Sequence, residues 1–185
     1  YSRQITRKNW KTILSTNKLI CGLDEVGRGA LAGPLVAAAV VLGKEIKNLR
    51  DSKKLTPLQR QKLYKKILKR ALLIKIESIS ALLINRKGIG WANKEIFRRL
   101  ILKIEADKYI IDGNLKIRVR GKSKKIKSLI KADSVVPEVM AASIIAKVTR
   151  DKIMRELSKK FKIYGWQSNV GYGTKFHIQA VREYG

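Results

Sequence analysis

An apolar run, Leu19 to Leu23, ends in two adjacent carboxylates, Asp24 and Glu25, and passes at once into Gly27-Arg28-Gly29. A second apolar run, Leu35 to Leu42, follows Gly33-Pro34. Two strand-forming segments joined by a glycine-rich connection restrict this part of the chain to strands of a sheet. They also place charge at the end of a buried strand, where it costs several kcal/mol unless a cation or hydrogen bonds compensate. Acids are scarce here, 14 against 42 lysines and arginines for a net charge of +28, so two of them side by side carry weight.

The rest of the chain supplies the partners of that sheet. Thr56-Pro57 predicts a helix N-cap with proline in the first turn, and Leu63, Ile67 and Ala71 mark the apolar face of a helix over 58–72. Alternation predicts a strand over 74–79. Ile96, Leu100 and Ile104 predict a helix over 91–103. Tyr109-Ile110-Ile111-Asp112-Gly113 reads as a short strand ending on a carboxylate. Segments 117–119 and 125–130 read as extended. Ser134 is placed to cap a long helix over 135–159, with Val136, Met140 and Ile144 as its apolar stripe. A glycine-rich, aromatic loop over 164–173 and a helix over 175–183 close the chain. Strands that cluster first and then alternate with helices describe an α/β domain with a mixed sheet. The expected organisation is a single domain over 1–185, with a basic extension at 1–18 and a terminal helix at 174–185.

At 45% hydrophobic residues, a disordered basic tail is excluded. The charge calls for a polyanion, with nucleic acid ahead of an anionic membrane, but it fits a ribosomal-type binding protein as well as an enzyme. Residues 1–18 lack the apolar core of a signal peptide, and the longest apolar stretch, 30–42, is shorter than the ~20 residues of a spanning helix. No membrane association is expected. Cys21 is the single cysteine, which suits a reducing cytoplasm and reads as a small core residue. His177 is the single histidine, read as structural or solvated, and zinc sites of the Cys/His type are excluded. The run 122–131 (KSKKIKSLIK) reads either as a solvated face or as a phosphate contact.

Asp24 and Asp112 each end an apolar segment, and Asp133 stands just before the long helix. If their strands are parallel neighbours, Asp24 and Asp112 emerge at one sheet edge, beside the strand ends where α/β folds hold their sites. Clustered carboxylates repel one another. Hard divalent cations such as Mg²⁺ or Mn²⁺ resolve this with oxygen ligands, and a pair of them can activate water and stabilise a leaving oxygen in phosphodiester hydrolysis. Glu25 is the awkward member. Successive strand residues face opposite ways, so Glu25 joins Asp24 only if the strand ends or bends between them. Asp151, about 27 Å along the helix from Asp133 at ~1.5 Å per residue, reads as a surface or capping residue. Glu138 is a weak further candidate, and Asp51 reads as a turn residue.

These residues resemble one family, ribonuclease HII. The likeness rests on Asp24-Glu25-Val26-Gly27-Arg28-Gly29 with Leu31-Ala32-Gly33-Pro34, on Asp51-Ser52-Lys53-Lys54-Leu55 and on Ile111-Asp112-Gly113-Asn114. It continues through Lys131-Ala132-Asp133-Ser134, the block from Ala141 to Asp151, and Gly171-Tyr172-Gly173-Thr174. The blocks run in the family's order over nearly the whole chain. The resemblance implies a ribonuclease H-like fold. It implies hydrolysis of the RNA strand of RNA–DNA hybrids and incision 5′ to single ribonucleotides in duplex DNA, leaving 3′-hydroxyl and 5′-phosphate ends, as in ribonucleotide excision repair. It places the family's metal-binding catalytic carboxylates on Asp24, Glu25, Asp112 and Asp133. Its reader of the ribose 2′-hydroxyl falls on Gly27, Arg28 and Gly29, and its substrate-contacting tyrosine on Tyr172. Lys53 and Lys54 are candidate phosphate contacts. A cytoplasmic monomer is implied, with a sliding clamp as candidate partner. One departure stands out: Val170 occupies a place where bacterial members commonly carry a basic residue. The competing expectation is a non-catalytic basic nucleic-acid-binding protein on the same fold.

Overall fold

The computed structural model describes residues 18–185, so the basic extension expected over 1–18 lies almost wholly outside the described residues. Five strands, β1 (Ile20–Val26), β2 (Leu35–Leu42), β3 (Ala71–Ile79), β4 (Lys108–Asp112) and β5 (Ile126–Leu129), form one sheet in the order β3-β2-β1-β4-β5. β1 pairs antiparallel with β2 and parallel with β4, so the sheet is mixed and β1 lies at its centre. β2 pairs antiparallel with β3, and β4 parallel with β5.

The helices are α1 (Pro57–Arg70), α2 (Ala81–Lys87), α3 (Ile89–Leu102), α4 (Pro137–Lys160), the short α5 (Trp166–Asn169) and α6 (Lys175–Tyr184). Among the described residues two larger cores lie on opposite faces of the sheet, with a third, smaller cluster of Ile20, Ile110, Ala132, Val136 and Val139 at the start of α4. On one face Cys21, Leu23, Tyr109 and Ile111 pack against Ile96, Phe97 and Leu100 of α3. On the other, Ala38 and Val40 meet Ile67 of α1 and Ile144 and Ile145 of α4. β2 contributes alternate residues to both cores, which explains why its sequence is a continuous apolar run and not an alternating one.

Local signals mostly give the elements they imply. Thr56 and Gln59 complete a reciprocal capping box at the start of α1. Two expectations are corrected and one is narrowed. Ser134 does not cap α4, because it lies in a 3-10 turn, Ala132–Ser134, where its Oγ donates to Lys131 O; Val136 occupies the cap without a side-chain bond. Segment 117–119 forms no strand, and β5 occupies only 126–129. The expected loop over 164–173 contains a 3-10 turn and α5.

Gly22 decides how α4 sits. A Cβ there would lie 2.2 Å from Glu138 C and 2.3 Å from Val139 N, so only glycine lets the first turn of α4 rest on β1. That close approach sets the helix directly beneath Asp24.

Candidate active site

Asp24 and Asp112 come out at the same sheet edge, as parallel strands require. The last paired residues of β1 and β4 are Leu23 and Ile111, and the two aspartates are the next residue of each strand. Asp24 is buried on the α4 face. Its Oδ1 accepts from Glu25 N–H at 2.8 Å, and Ser143 of α4 lies close enough to favour its ionised form. Ser143 Oγ also shares a 2.7 Å hydrogen bond with Ser52 Oγ. Ser52 opens a 3-10 turn, Ser52–Lys54, that Asp51 caps by accepting from Lys53 N–H. This serine pair brings Lys53 to the site, where its Nζ lies 3.3 Å from Asp133 Oδ2. Lys54 stands exposed on the same turn. Asp133 is buried, and its N–H donates to Asp112 Oδ1 at 3.4 Å.

Glu25 arrives by a different route from the one the sequence demanded. The strand neither ends nor bends after Asp24, for β1 continues to Val26 with Glu25 opposite Ala37 of β2. Asp24 therefore faces α4 and Glu25 faces α3, on opposite sides of the sheet. β1, however, outruns β4, whose pairing with it stops at Ile111. No strand separates Glu25 from Asp112 beyond that point, and the two charges act on each other across the end of β4. On the α3 side lies the amide of Asn93, buried with neither its nitrogen nor its oxygen in a formed hydrogen bond. It favours the ionised form of Glu25.

The electrostatics of this edge are unresolved by the protein alone. Burial, then Glu25, hold the Asp24 carboxyl far above its ordinary pKa, with Asp112 adding to the push. Burial and Asp112 raise Glu25 to about 7 against the opposing charge of Arg28. Asp112 is raised by burial and by Asp133. Among the described residues no three acidic, histidine or cysteine side chains gather into a ready-made ion cage. Like charges keep apart, and several oxygens are held by N–H donors or by Lys53. The donor set is nonetheless all oxygen and mutually repelling, and it sits at the mouth of a strongly basic chain. It fits a hard divalent cation, and no thiol or imidazole competes for the place.

The segment after β1 forms a second structure. Gly27 has φ +104, and Ala30 N–H donates to its carbonyl, closing a turn over Arg28 and Gly29. A Cβ on Gly27 would lie 2.4 Å from Arg150 Nε, whereas one on Gly29 meets nothing within 4 Å. Gly27 is thus required by the fold, and Gly29 is open. Tyr172 lies across from this turn, with Lys147 Nζ 5.6 Å and the Arg150 guanidinium 5.3 Å from its ring centre. His177 is fully buried: its Nδ1 donates to Tyr172 O and its Nε2 accepts from Trp166 Nε1, so it holds the Tyr172 segment in place.

The other acids stay apart. Asp151 pairs with Lys147 at 2.8 Å and faces Arg60 at 3.8 Å. Glu138 is raised by burial alone, without influence from the site's carboxylates. Part of the basic run is structural, because Lys122 donates to the carbonyls of Ile101 and Ile104 at the end of α3. Ser52, Ser143, Asn93 and Arg150 are the site residues that sequence reasoning gave no role. The one available signal was a polar residue, Ser143, inside an otherwise apolar stretch of helix.

The family model for Ribonuclease HII matches residues 21–185. Ribonuclease HII of Pelagibacter ubique (strain HTCC1062) is 44% identical over 172 residues, 91% of each chain. Ribonuclease HII of Clostridium botulinum (strain Loch Maree / Type A3) is 41% identical over 96% of this chain and 68% of its own length. Among solved structures, the PCNA:RNase HII complex from Archaeoglobus fulgidus superposes with a TM-score of 0.76 at 28% identity, covering 90% of this chain and 88% of that one.

Proposed function

The chain belongs to the ribonuclease HII family, whose members are endoribonucleases of the ribonuclease H class, and on that footing we propose a divalent-metal-dependent nuclease that incises 5′ to single ribonucleotides in duplex DNA and cuts the RNA strand of RNA–DNA hybrids. The observation that carries this reading is the edge shared by β1 and β4. There the buried Asp24 and Asp133 flank the half-buried Asp112, which repels each of them, in a chain of charge +28. A pure phosphate binder gains nothing from acids in its groove.

Asp24, Glu25, Asp112 and Asp133 hold Mg²⁺ or Mn²⁺ in this reading, Glu25 reaching in from the α3 face. When bound, such cations supply Lewis acidity at the phosphodiester and lower the pKa of the attacking water. The chain's own residues do the rest. The Glu25 N–H fixes the Asp24 carboxyl, and Ser143 beside it favours the ionised form. Lys53 sits beside Asp133, where it can meet a phosphate oxygen, and Lys54 is a further phosphate contact. The backbone of the turn over Gly27, Arg28 and Gly29 approaches the ribose and reads its 2′-hydroxyl, the group that separates RNA from DNA. The Tyr172 ring packs against the neighbouring sugar. The products are 3′-hydroxyl and 5′-phosphate ends.

Among the described residues no helix is long and apolar enough to cross a membrane. A cytoplasmic monomer working in ribonucleotide excision repair is the proposed setting. The PCNA complex of the Archaeoglobus relative makes a sliding clamp the proposed protein partner.

The test is a duplex carrying one ribonucleotide, incubated with the protein and Mg²⁺ or Mn²⁺. Incision on the 5′ side of the ribonucleotide, abolished by chelation and absent on the all-DNA duplex, is expected. Stable binding without incision in either metal would transfer the reading to a non-catalytic nucleic-acid binder.

A further inference from the structure

Among the described residues Arg150 is the largest fully buried side chain, at 0% exposure. Its three hydrogen bonds all go to backbone carbonyls: Nε to Pro34 O at 2.9 Å, Nη2 to Ala32 O at 2.9 Å and Nη1 to Val170 O at 2.7 Å. Two of these carbonyls belong to the segment that follows the Gly27–Gly29 turn. The third belongs to the segment that carries Tyr172. One planar fork on α4 therefore bolts together two stretches of chain well over a hundred residues apart.

The surrounding packing is as specific as the bonds. Leu31 N–H and Ala32 N–H both donate to Gly171 O, at 2.9 and 3.2 Å. A Cβ on Gly171 would lie 2.4 Å from Ala32 O, and one on Gly27 2.4 Å from Arg150 Nε. Val170, a β-branched residue, is held at φ +44, a conformation such residues rarely adopt. Val170 takes this left-handed conformation as the C-cap of α5, its N–H donating to Trp166 O, and the Nη1 bond to its carbonyl ties that strained cap to Arg150. The guanidinium also lies over the Tyr172 ring. Burying a cation for three neutral acceptors costs stability that an apolar side chain of similar size would not cost. What the arginine adds is fixed geometry.

We propose that Arg150 is a positioning residue for ribose discrimination. It sets the distance between the backbone of the Gly27–Gly29 turn and the ring of Tyr172, so that a nucleotide fits between them in one register. The proposal rests on reading that turn and that ring as the sugar-contacting elements. Arg150 touches neither the carboxylate edge nor the substrate; it acts through the two segments it joins. A single embedded ribonucleotide offers one 2′-hydroxyl and depends on this register. A hybrid offers one at every step of its RNA strand and depends on it less.

The experiment compares wild type with R150K, which keeps the charge but replaces a three-bond fork with one ammonium. Four quantities are read: kcat/KM on the single-ribonucleotide duplex, kcat/KM on an RNA–DNA hybrid, Mn²⁺ affinity, and melting temperature. The preference for the single-ribonucleotide duplex over the hybrid is expected to fall at least about tenfold, the scale expected of a sub-ångström to 1 Å misplacement. Mn²⁺ affinity should stay within about twofold, because the carboxylates are not in contact with Arg150. An unchanged preference, or an equal loss on both substrates that follows the melting temperature, overturns the proposal and leaves a merely structural arginine. Should R150K fail to fold, R150M decides. An apolar side chain of similar length avoids the cost of a buried cation but makes none of the three bonds, and the preference should fall at least about tenfold; a wild-type preference in R150M overturns the proposal. If wild type itself incises the all-DNA duplex as readily, the reading of the sugar-contacting elements has failed, and the fault lies there and not in Arg150.

Discussion

The carboxylate edge and the arginine joint are close neighbours along β1, and they handle charge in opposite ways. At the edge, acids are buried against one another and their pKa values rise. At the joint, a buried cation has a carbonyl for each of three N–H directions, and glycines clear the space it needs. The edge is electrostatically incomplete, which is what the proposed binding of cations and a phosphodiester requires. The joint is complete, which is what the proposed positioning of a sugar-contacting turn requires. Removing a charge should therefore stabilise the first region and destabilise the second.

The largest expected effect tests the edge. Asp24→Asn keeps the shape and the acceptor for Glu25 N–H but removes a buried, repelling charge. Incision with Mg²⁺ should fall by at least about a thousandfold, while the melting temperature of the metal-free protein rises by about 2–4 °C, the equivalent of about 1 kcal/mol in a domain of this size. A gel assay and a thermal melt on the same preparation check both, and a lowered melting temperature would mean the edge is not repulsive.

The two glycines of the turn separate fold from recognition. Gly27→Ala meets Arg150 Nε and needs a positive φ, so it should lose about 1–3 kcal/mol of stability and incise poorly on every substrate. Gly29→Ala meets open space. It should melt with wild type yet lose about tenfold or more on the single-ribonucleotide duplex, because a methyl group stands where the sugar approaches. Equal behaviour of the two variants erases the distinction between required and open glycine.

A pH series gives a smaller effect of defined sign. Glu25 has a folded pKa of about 7 against an ordinary 4.5. Between those values the folded chain binds a proton that the unfolded chain does not, so stability falls as pH rises through this window. Asp24 and Asp112 shift in the same direction. Metal-free protein should thus gain about 1–2 kcal/mol between pH 7.5 and pH 5.5 in denaturant titrations, and Asp112→Asn should flatten that slope. A slope of opposite sign contradicts the charge assignment. The smallest effect belongs to Ser143→Ala, which removes the hydroxyl between Asp24 and Ser52 and should cost about 1 kcal/mol and a few-fold in rate.

Much of this was legible in the sequence because the signals are local. The apolar runs, the Thr56-Pro57 cap and the aspartates at strand ends need only neighbouring residues to be read, and the β1–β4 adjacency follows once the strands are taken as parallel. What stayed hidden depends on contacts between distant segments. The Glu25–Ala37 pairing keeps β1 straight through a carboxylate pair that looks like a strand end. Ser52 meets Ser143 across 91 residues, and Arg150 meets Pro34 across 116. Val170 looks like a lost basic residue in sequence; in the fold its side chain matters less than its strained backbone and the carbonyl it offers.

The most direct test of the central claim is the proton count on metal binding. Mg²⁺ or Mn²⁺ titrated into the metal-free protein at pH 6.5, in two buffers of different ionisation enthalpy, should bind with net release of about one proton or more. Affinity should rise with pH up to about 7.5, and Asp112→Asn should lose both affinity and proton release. Metal binding with no proton release, or release that survives in Asp112→Asn, would contradict the account of a buried, self-repelling carboxylate edge completed by cations.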